Sequence, residues 1–118
     1  MVPSEERKKA MATSAAILIQ HRDGHAQAIY CHGSGAFEDL GRCLLAHYQV
    51  TDKVKKLIAL GGVSYVEAEV APNEGTPHSF NAPAQGVTVA YIRDRGDSFA
   101  SRAATTYANL NRALWDWV

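Results

Sequence analysis

The segment Ile29-Tyr30-Cys31-His32-Gly33-Ser34-Gly35 sets a phenol, a thiol and an imidazole at the end of an apolar run, directly before two glycines and a helix-patterned stretch. A strand that ends this way and turns on glycine into a helix N-terminus gathers polar side chains and open backbone N–H groups at one point, which suits an anion or another polar ligand. Further along, Arg93 and Arg95 are spaced to share one face of a strand, where their planar forks can grip phosphate. Tyr30 or Phe80 can stack on a base, and His32 and His78 can donate hydrogen bonds. Tyr30, His32, Gly33, Gly35, His78, Phe80, Arg93 and Arg95 therefore form the candidate ligand-binding set, and a nucleotide-like molecule is the ligand this chemistry fits.

Two other chemistries are weaker. Cys43 and His47 stand one helical turn apart, as zinc ligands on a helix do, and Cys31 and His32 could complete a set. Strand alternation points Cys31 and His32 to opposite faces, which removes the simple four-ligand arrangement, so no metal is expected and the cysteines read as buried thiols. For catalysis, His32 or His78 could serve as base and Cys31 or Ser79 as nucleophile. No spacing fixes a base beside a nucleophile, so no catalytic residue and no cofactor is assigned.

The elements that must position these groups follow from periodicity. Ser14 to Gln20 and Ala26 to His32 are apolar runs separated by His21-Arg22-Asp23-Gly24-His25, and Asp-Gly between such runs signals a β-hairpin. Phe37, Leu40, Gly41, Leu44, Leu45 and Tyr48 recur at the spacing of one helix stripe, so the stretch from Ala36 to Val50 is expected to be a helix packed on the sheet. Thr51 can cap a second helix that buries Val54, Leu57 and Ile58 and stops at Gly61-Gly62. Ser64 to Val70 alternates like a half-buried strand. Ala71 to Gly86 has the composition of a long loop, and Val87 to Arg93 that of a strand followed by a turn at Asp94-Arg95-Gly96-Asp97. For the rest, a short helix followed by a strand near Leu114 to Trp117 is expected, although Ser98 to Ala108 is Ala-rich enough to be helical throughout. The resulting fold class is α+β, a mainly antiparallel sheet with two consecutive helices packed on one face.

Composition narrows the setting. The chain has 118 residues, enough for one domain over 13–118 preceded by a charged tail over 1–12. Twelve basic and twelve acidic side chains cancel, so no global field draws the protein to nucleic acid or an anionic membrane. No stretch approaches the roughly 20 apolar residues of a membrane span, and two cysteines do not make a disulfide framework. A cytoplasmic location fits these features best.

Tyr30-Cys31-His32, Gly41-Arg42, Leu44-Leu45, His47-Tyr48, Lys53-Val54 and Leu57-Ile58-Ala59-Leu60-Gly61 resemble the pattern of a group of small, mostly unannotated proteins of tailed phages and prophages. The resemblance continues through His78-Ser79-Phe80, Val87-Thr88-Val89-Ala90-Tyr91 and Arg93-Asp94-Arg95-Gly96-Asp97, covering roughly 29–97. The chain departs from that group at Gly33-Ser34-Gly35-Ala36-Phe37, where the group carries Trp, Asp, Gly, Tyr and Pro. The resemblance implies a phage accessory protein, a class that includes inhibitors of host defence, acting in the host cytoplasm. Its expected mode is sequestration of a nucleotide-like host signal, with a homo-oligomer if sites form between protomers. One alternative is a protein-directed inhibitor of a host defence enzyme, such as an anti-CRISPR, using Lys53, Lys55 and Lys56 or Trp115 and Trp117. Another is a small hydrolase of such a signal.

Overall fold

Asp23 and Gly24 turn the chain back on itself as the sequence requires. Gly24 takes φ +95° and donates its N–H to the His21 carbonyl at 3.0 Å, while the Asp23 carboxylate accepts from the His25 N–H at 3.0 Å. The computed structural model describes residues 14–33 and 37–117; the expected charged tail over 1–12 and Gly35 lie outside the described residues. The turn joins β1 (Ala15–Gln20) to β2 (Ala26–Cys31), which pair antiparallel in unbroken register from Ala15 opposite Cys31 to Gln20 opposite Ala26.

Among the described residues β2 is the hub of a five-stranded sheet. Beyond its second edge, β5 (Thr105–Tyr107) runs antiparallel along Ala26 to Ala28, and β3 (Val63–Tyr65) pairs parallel with it at Cys31. β4 (Val89–Ala90) lies antiparallel outside β3. The sheet is thus mixed but mainly antiparallel. Ile17, Ile29, Cys31 and Val63 face two consecutive helices, α1 (Arg42–His47) and α2 (Thr51–Ala59), and form one core with Leu40, Tyr48, Leu57 and Ile58. This is the expected α+β layering.

Several local expectations change in the structure, each for a visible reason. The first helix is shorter than the stretch from Ala36 to Val50: a wide π-type turn (Phe37–Gly41) precedes α1, and Leu45 is exposed. Thr51 is the first helical residue of α2 and not its cap; Val50 holds the cap position without a side-chain bond. The strand expected over Ser64 to Val70 ends at Tyr65. The Glu67 N–H goes to the Thr88 hydroxyl at 2.9 Å instead of to a backbone carbonyl, and the Tyr48 hydroxyl takes the Glu67 carbonyl at 2.7 Å, so side chains interrupt the ladder.

The strand expected over Val87 to Arg93 likewise gives way after Ala90 to a π-type turn (Tyr91–Arg95). Asp94 draws the backbone round by accepting the Ala90 N–H at 2.8 Å, the Asp97 N–H reaches the Tyr91 carbonyl at 3.1 Å, and Gly96 closes the turn at φ +84°. Arg93 and Arg95 therefore do not share a strand face.

At the C-terminal end the short helix is α3 (Phe99–Arg102) and the strand is β5; the segment expected to be a final strand is α4 (Leu110–Trp117). Asn109 caps it by accepting the Arg112 N–H at 2.9 Å. Tyr107, opposite Ala26 on the face of the sheet away from α1 and α2, bonds Asp116 and Trp117, and Ala113 is fully buried. α4 covers that second face, so the sheet lies between helices. Among the described residues no helix is long and apolar enough to cross a membrane.

α3 docks through a contact that only glycine permits. The Arg102 carbonyl accepts the Gly62 N–H at 2.7 Å, and a Cβ on Gly61, whose φ is +77°, would stand 2.3 Å from the same oxygen. Gly75 also has a positive φ, +82°, but a Cβ there would meet nothing. Gly75→Ala should cost about 1 kcal/mol from the left-handed backbone alone, whereas Gly61→Ala should cost about 3 kcal/mol because backbone must also move. Urea unfolding of both variants decides the point, and equal losses would show that the α3 contact contributes nothing.

Candidate functional site

Register places Tyr30, Gly62 and Tyr91 side by side on the α4 face, since Cys31 pairs with Val63 and Val63 with Ala90. Gly62 leaves a gap in that row. Arg102 fills it: its Cδ lies 3.7 Å from where a Gly62 Cβ would stand, and its guanidinium lies 4.2 Å from the Tyr91 ring centre. Arg95, coming off the π-type turn, lies 4.6 Å from the same ring and 5.0 Å from Phe80, which is itself 5.7 Å from Tyr91. The result is a run of alternating guanidinium and aromatic groups across one side of the molecule.

Asp97 anchors both arginines. It receives Arg95 Nε at 2.8 Å and Nη2 at 2.7 Å as a fork, and Arg102 Nε at 3.0 Å. Hydrogen bonds from Arg95 and then Arg102 hold the Asp97 carboxyl down at about 2, so it is ionised throughout the neutral range. With those bonds made, Arg95 Nη1 and both Arg102 Nη atoms carry no hydrogen bond among the described residues. Their side chains are 42% and 31% exposed, so these donors reach solvent. Beside Arg102 a hollow of about 100 Å³ opens between Tyr30, Ser101, Thr105 and Trp117. At its edge the Tyr30 hydroxyl bonds His32 Nδ1 at 2.9 Å.

His78 and Arg93 belong elsewhere. Both His78 and Asp94 side chains are nearly inaccessible, at 3% and 4%. The Ala84 N–H donates to His78 Nδ1 at 2.9 Å, which leaves the ring proton on Nε2 to donate to Asp94 at 3.1 Å. Arg93 forks onto Asp94 through Nε at 2.8 Å and Nη2 at 3.0 Å, and spends its remaining reach on the Val70 carbonyl at 2.6 Å and the Thr88 carbonyl at 2.7 Å. Burial pushes the Asp94 carboxyl up, but Arg93, the Ala90 N–H and His78 outweigh it and the net direction is down. This knot ties both ends of the long loop to β4 and commits every Arg93 guanidinium nitrogen to a partner within the protein.

Of the sequence-derived set, the structure brings Tyr30, His32, Phe80 and Arg95 to one side of the molecule and ties His78 and Arg93 to Asp94. Of the N–H groups expected to be open after β2, the two within the described residues are occupied, since His32 N–H bonds the Val63 carbonyl at 3.0 Å and Gly33 N–H the Ser64 carbonyl at 2.7 Å. Tyr91, Asp97 and Arg102 are the site residues that motif reading missed. Their signal was the Gly61-Gly62 pair, which reads as a helix stop but is the floor on which Arg102 lies.

The cysteines are turned inward. Cys31 Sγ donates to the Gly33 carbonyl at 3.1 Å, and burial pushes its thiol up to about 11; burial also raises the half-buried Cys43 thiol. Among the described residues no three His, Cys, Asp or Glu side chains gather as metal ligands would. A broader cleft of about 760 Å³ lies between α2, α3 and the β1–β2 turn; its walls are mostly apolar, with Ile19, Ile58, Ala59, Phe99 and Ala103, and among the described residues Lys55 and His21 are its ionisable groups. The arginine side offers convergent charge and stacking surface, and is the stronger candidate.

Removing the Asp94 charge should be felt by the fold and not by ligand chemistry. Asp94→Asn leaves the Arg93 guanidinium without its counter-ion and should cost about 3 kcal/mol. Because the folded Asp94 carboxyl is lowered, its contribution is full above the ordinary value of 3.8 and fades as pH falls through the lower folded value. The gap between wild-type and Asp94→Asn unfolding free energies should therefore be constant near neutrality and narrow in acid; a gap that widens in acid would contradict this arrangement.

Comparison with protein-family models, with curated proteins and with solved structures finds no match to this chain.

Proposed function

We propose that the protein binds a nucleotide-like molecule across Tyr30, Arg102, Tyr91, Arg95 and Phe80, and acts by occupancy as a phage-type counter-defence protein that sequesters such a signal in the host cytoplasm. The observation that carries the binding reading is the Asp97-anchored arginine pair, in which fixed Nε contacts hold three outward guanidinium nitrogens ready for an anion. Anchoring matters because rotamer freedom already lost in the free protein is not lost again on binding. Phosphate oxygens meet the Arg95 and Arg102 Nη atoms, a base stacks on Phe80 or Tyr30, and His32 stands at the edge of the hollow as a further hydrogen-bonding group. Tight binding suffices and no bond in the ligand need break. The phage and host-defence setting rests on the sequence resemblance over 29–97.

A second reading is a protein-directed inhibitor. Its support is Trp115, which is 85% exposed on α4 with Leu114 beside it, the kind of aromatic that anchors interfaces. Lys53 is less suited to such a surface than Lys55 and Lys56, because it bonds the Ala68 carbonyl at 2.6 Å and lies over the Tyr48 ring.

Thermal unfolding against cyclic nucleotides, ADP-ribose derivatives and mononucleotides tests the first reading. A ligand at about a hundred times its dissociation constant should add about 2.7 kcal/mol, several degrees for a domain of this size. Arg95→Ala and Arg102→Ala should each weaken that ligand about tenfold or more, and Trp115→Ala should not. No shift with any member of the panel, or a shift untouched by both arginine variants, defeats the reading; inhibition of a host enzyme that Trp115→Ala abolishes would establish the second.

A further inference from the structure

β1 forms one edge of the sheet, and the geometry points to a second copy of this chain as its partner: we propose a twofold homodimer in which β1 pairs antiparallel with β1 of the other protomer. The direction of its backbone groups follows from the turn. His21 donates to the His25 carbonyl at 2.8 Å, so the odd-numbered residues of β1 turn their N–H and C=O groups toward β2. β2 agrees, because its even-numbered Ala26 and Ala28 lie against β5 and the His32 N–H reaches β3. The groups of Ala16, Leu18 and Gln20 consequently point away from the sheet. Among the described residues β1 pairs with β2 alone, so nothing there receives them.

Exposed edges are normally protected by charge, proline, a bulge or shortness. β1 has none of these: Ala15-Ala16-Ile17-Leu18-Ile19-Gln20 is six residues long, uncharged, and regular in register. The strand is complementary to itself. A twofold axis at Leu18 sets Ala16 opposite Gln20 of the partner and Gln20 opposite Ala16, so each outward N–H meets an outward carbonyl. On the α1–α2 face the same axis brings Ile17 against the partner's Ile19, and on the α4 face it brings Leu18 against its own copy. Ala15, Ala16, Leu18 and Ile19, each only partly buried in one protomer, gain cover. A foreign strand would need matching apolar side chains on both faces, whereas a second copy supplies them by symmetry. The two five-stranded sheets then become one. The proposal stands apart from the ligand reading, since none of Tyr30, Arg95 or Arg102 lies on β1.

Sedimentation equilibrium of the full chain should give twice the 12.8 kDa chain mass. Ala16→Pro removes an outward N–H while leaving the inward ladder to β2 intact, and Leu18→Lys sets two ammonium groups on the axis; each should yield a monomer with wild-type far-ultraviolet circular dichroism. Should either variant fail to fold, amide exchange of the wild-type protein decides instead: Ala16, Leu18 and Gln20 should exchange as slowly as Ile17 and Ile19 in concentrated solution and faster on dilution. A wild-type chain of single mass at its highest soluble concentration, a dimer that survives both variants, or even-numbered amides that exchange rapidly at every concentration would each overturn the proposal.

Discussion

The contact between the Arg102 carbonyl and the backbone of Gly61 and Gly62 is the constraint from which most of this architecture follows. It exists only because Gly61 has no side chain, and it fixes where α3 meets the sheet. From that point the chain can enter β5 beside β2 and continue into α4 on the far face. The same contact lays the Arg102 side chain over the sheet, where Tyr91 and Asp97 receive it. A packing requirement of the fold and the placement of an ionic group are thus one event.

A second polar centre works differently. Asp94 collects the Ala90 N–H, the His78 ring and the Arg93 fork, and Arg93 extends the network to the Val70 and Thr88 carbonyls. The long loop has little apolar side-chain mass, so a hydrogen-bonded knot holds its ends where a hydrophobic core cannot. The two centres stand three residues apart in sequence, at Asp94 and Asp97, yet the first carboxylate is sealed and the second partly open. The wide turn from Tyr91 to Arg95 produces that separation by turning Arg93 back onto Asp94 and the Val70 and Thr88 carbonyls while Arg95 reaches forward to Asp97.

The sequence made the hairpin, the two consecutive helices and the α+β layering legible, because Asp23-Gly24 and the spacing of Leu40, Tyr48, Leu57 and Ile58 speak through local rules of turn chemistry and amphipathic period. It also named Tyr30, His32, Phe80 and Arg95, which the fold brings to one side of the molecule. It misplaced Arg93 because alternation was assumed to continue past Ala90, and a carboxylate four residues on that captures the Ala90 N–H leaves no mark on periodicity. Arg102 was invisible for a similar reason: its role depends on glycines some forty residues earlier and on the crossing of α3 over them. The terminal strand was expected because Leu114, Trp115, Asp116 and Trp117 alternate, but a cap at Asn109 and bonds from Tyr107 to α4 favour the helix. Side chains that capture backbone N–H groups, together with the distant Gly61–Arg102 contact, account for these differences, and neither leaves a trace in hydrophobic period.

Cys31 has a consequence of another kind. Its thiol is fully buried between β2 and the helices and is held protonated, so it is a poor nucleophile wherever the layer stays shut. Cys43, half-buried on α1, is the more accessible of the pair. The chain therefore carries two thiols at different depths of the same layer, so a thiol reagent would need less opening of the layer to reach Cys43 than to reach Cys31.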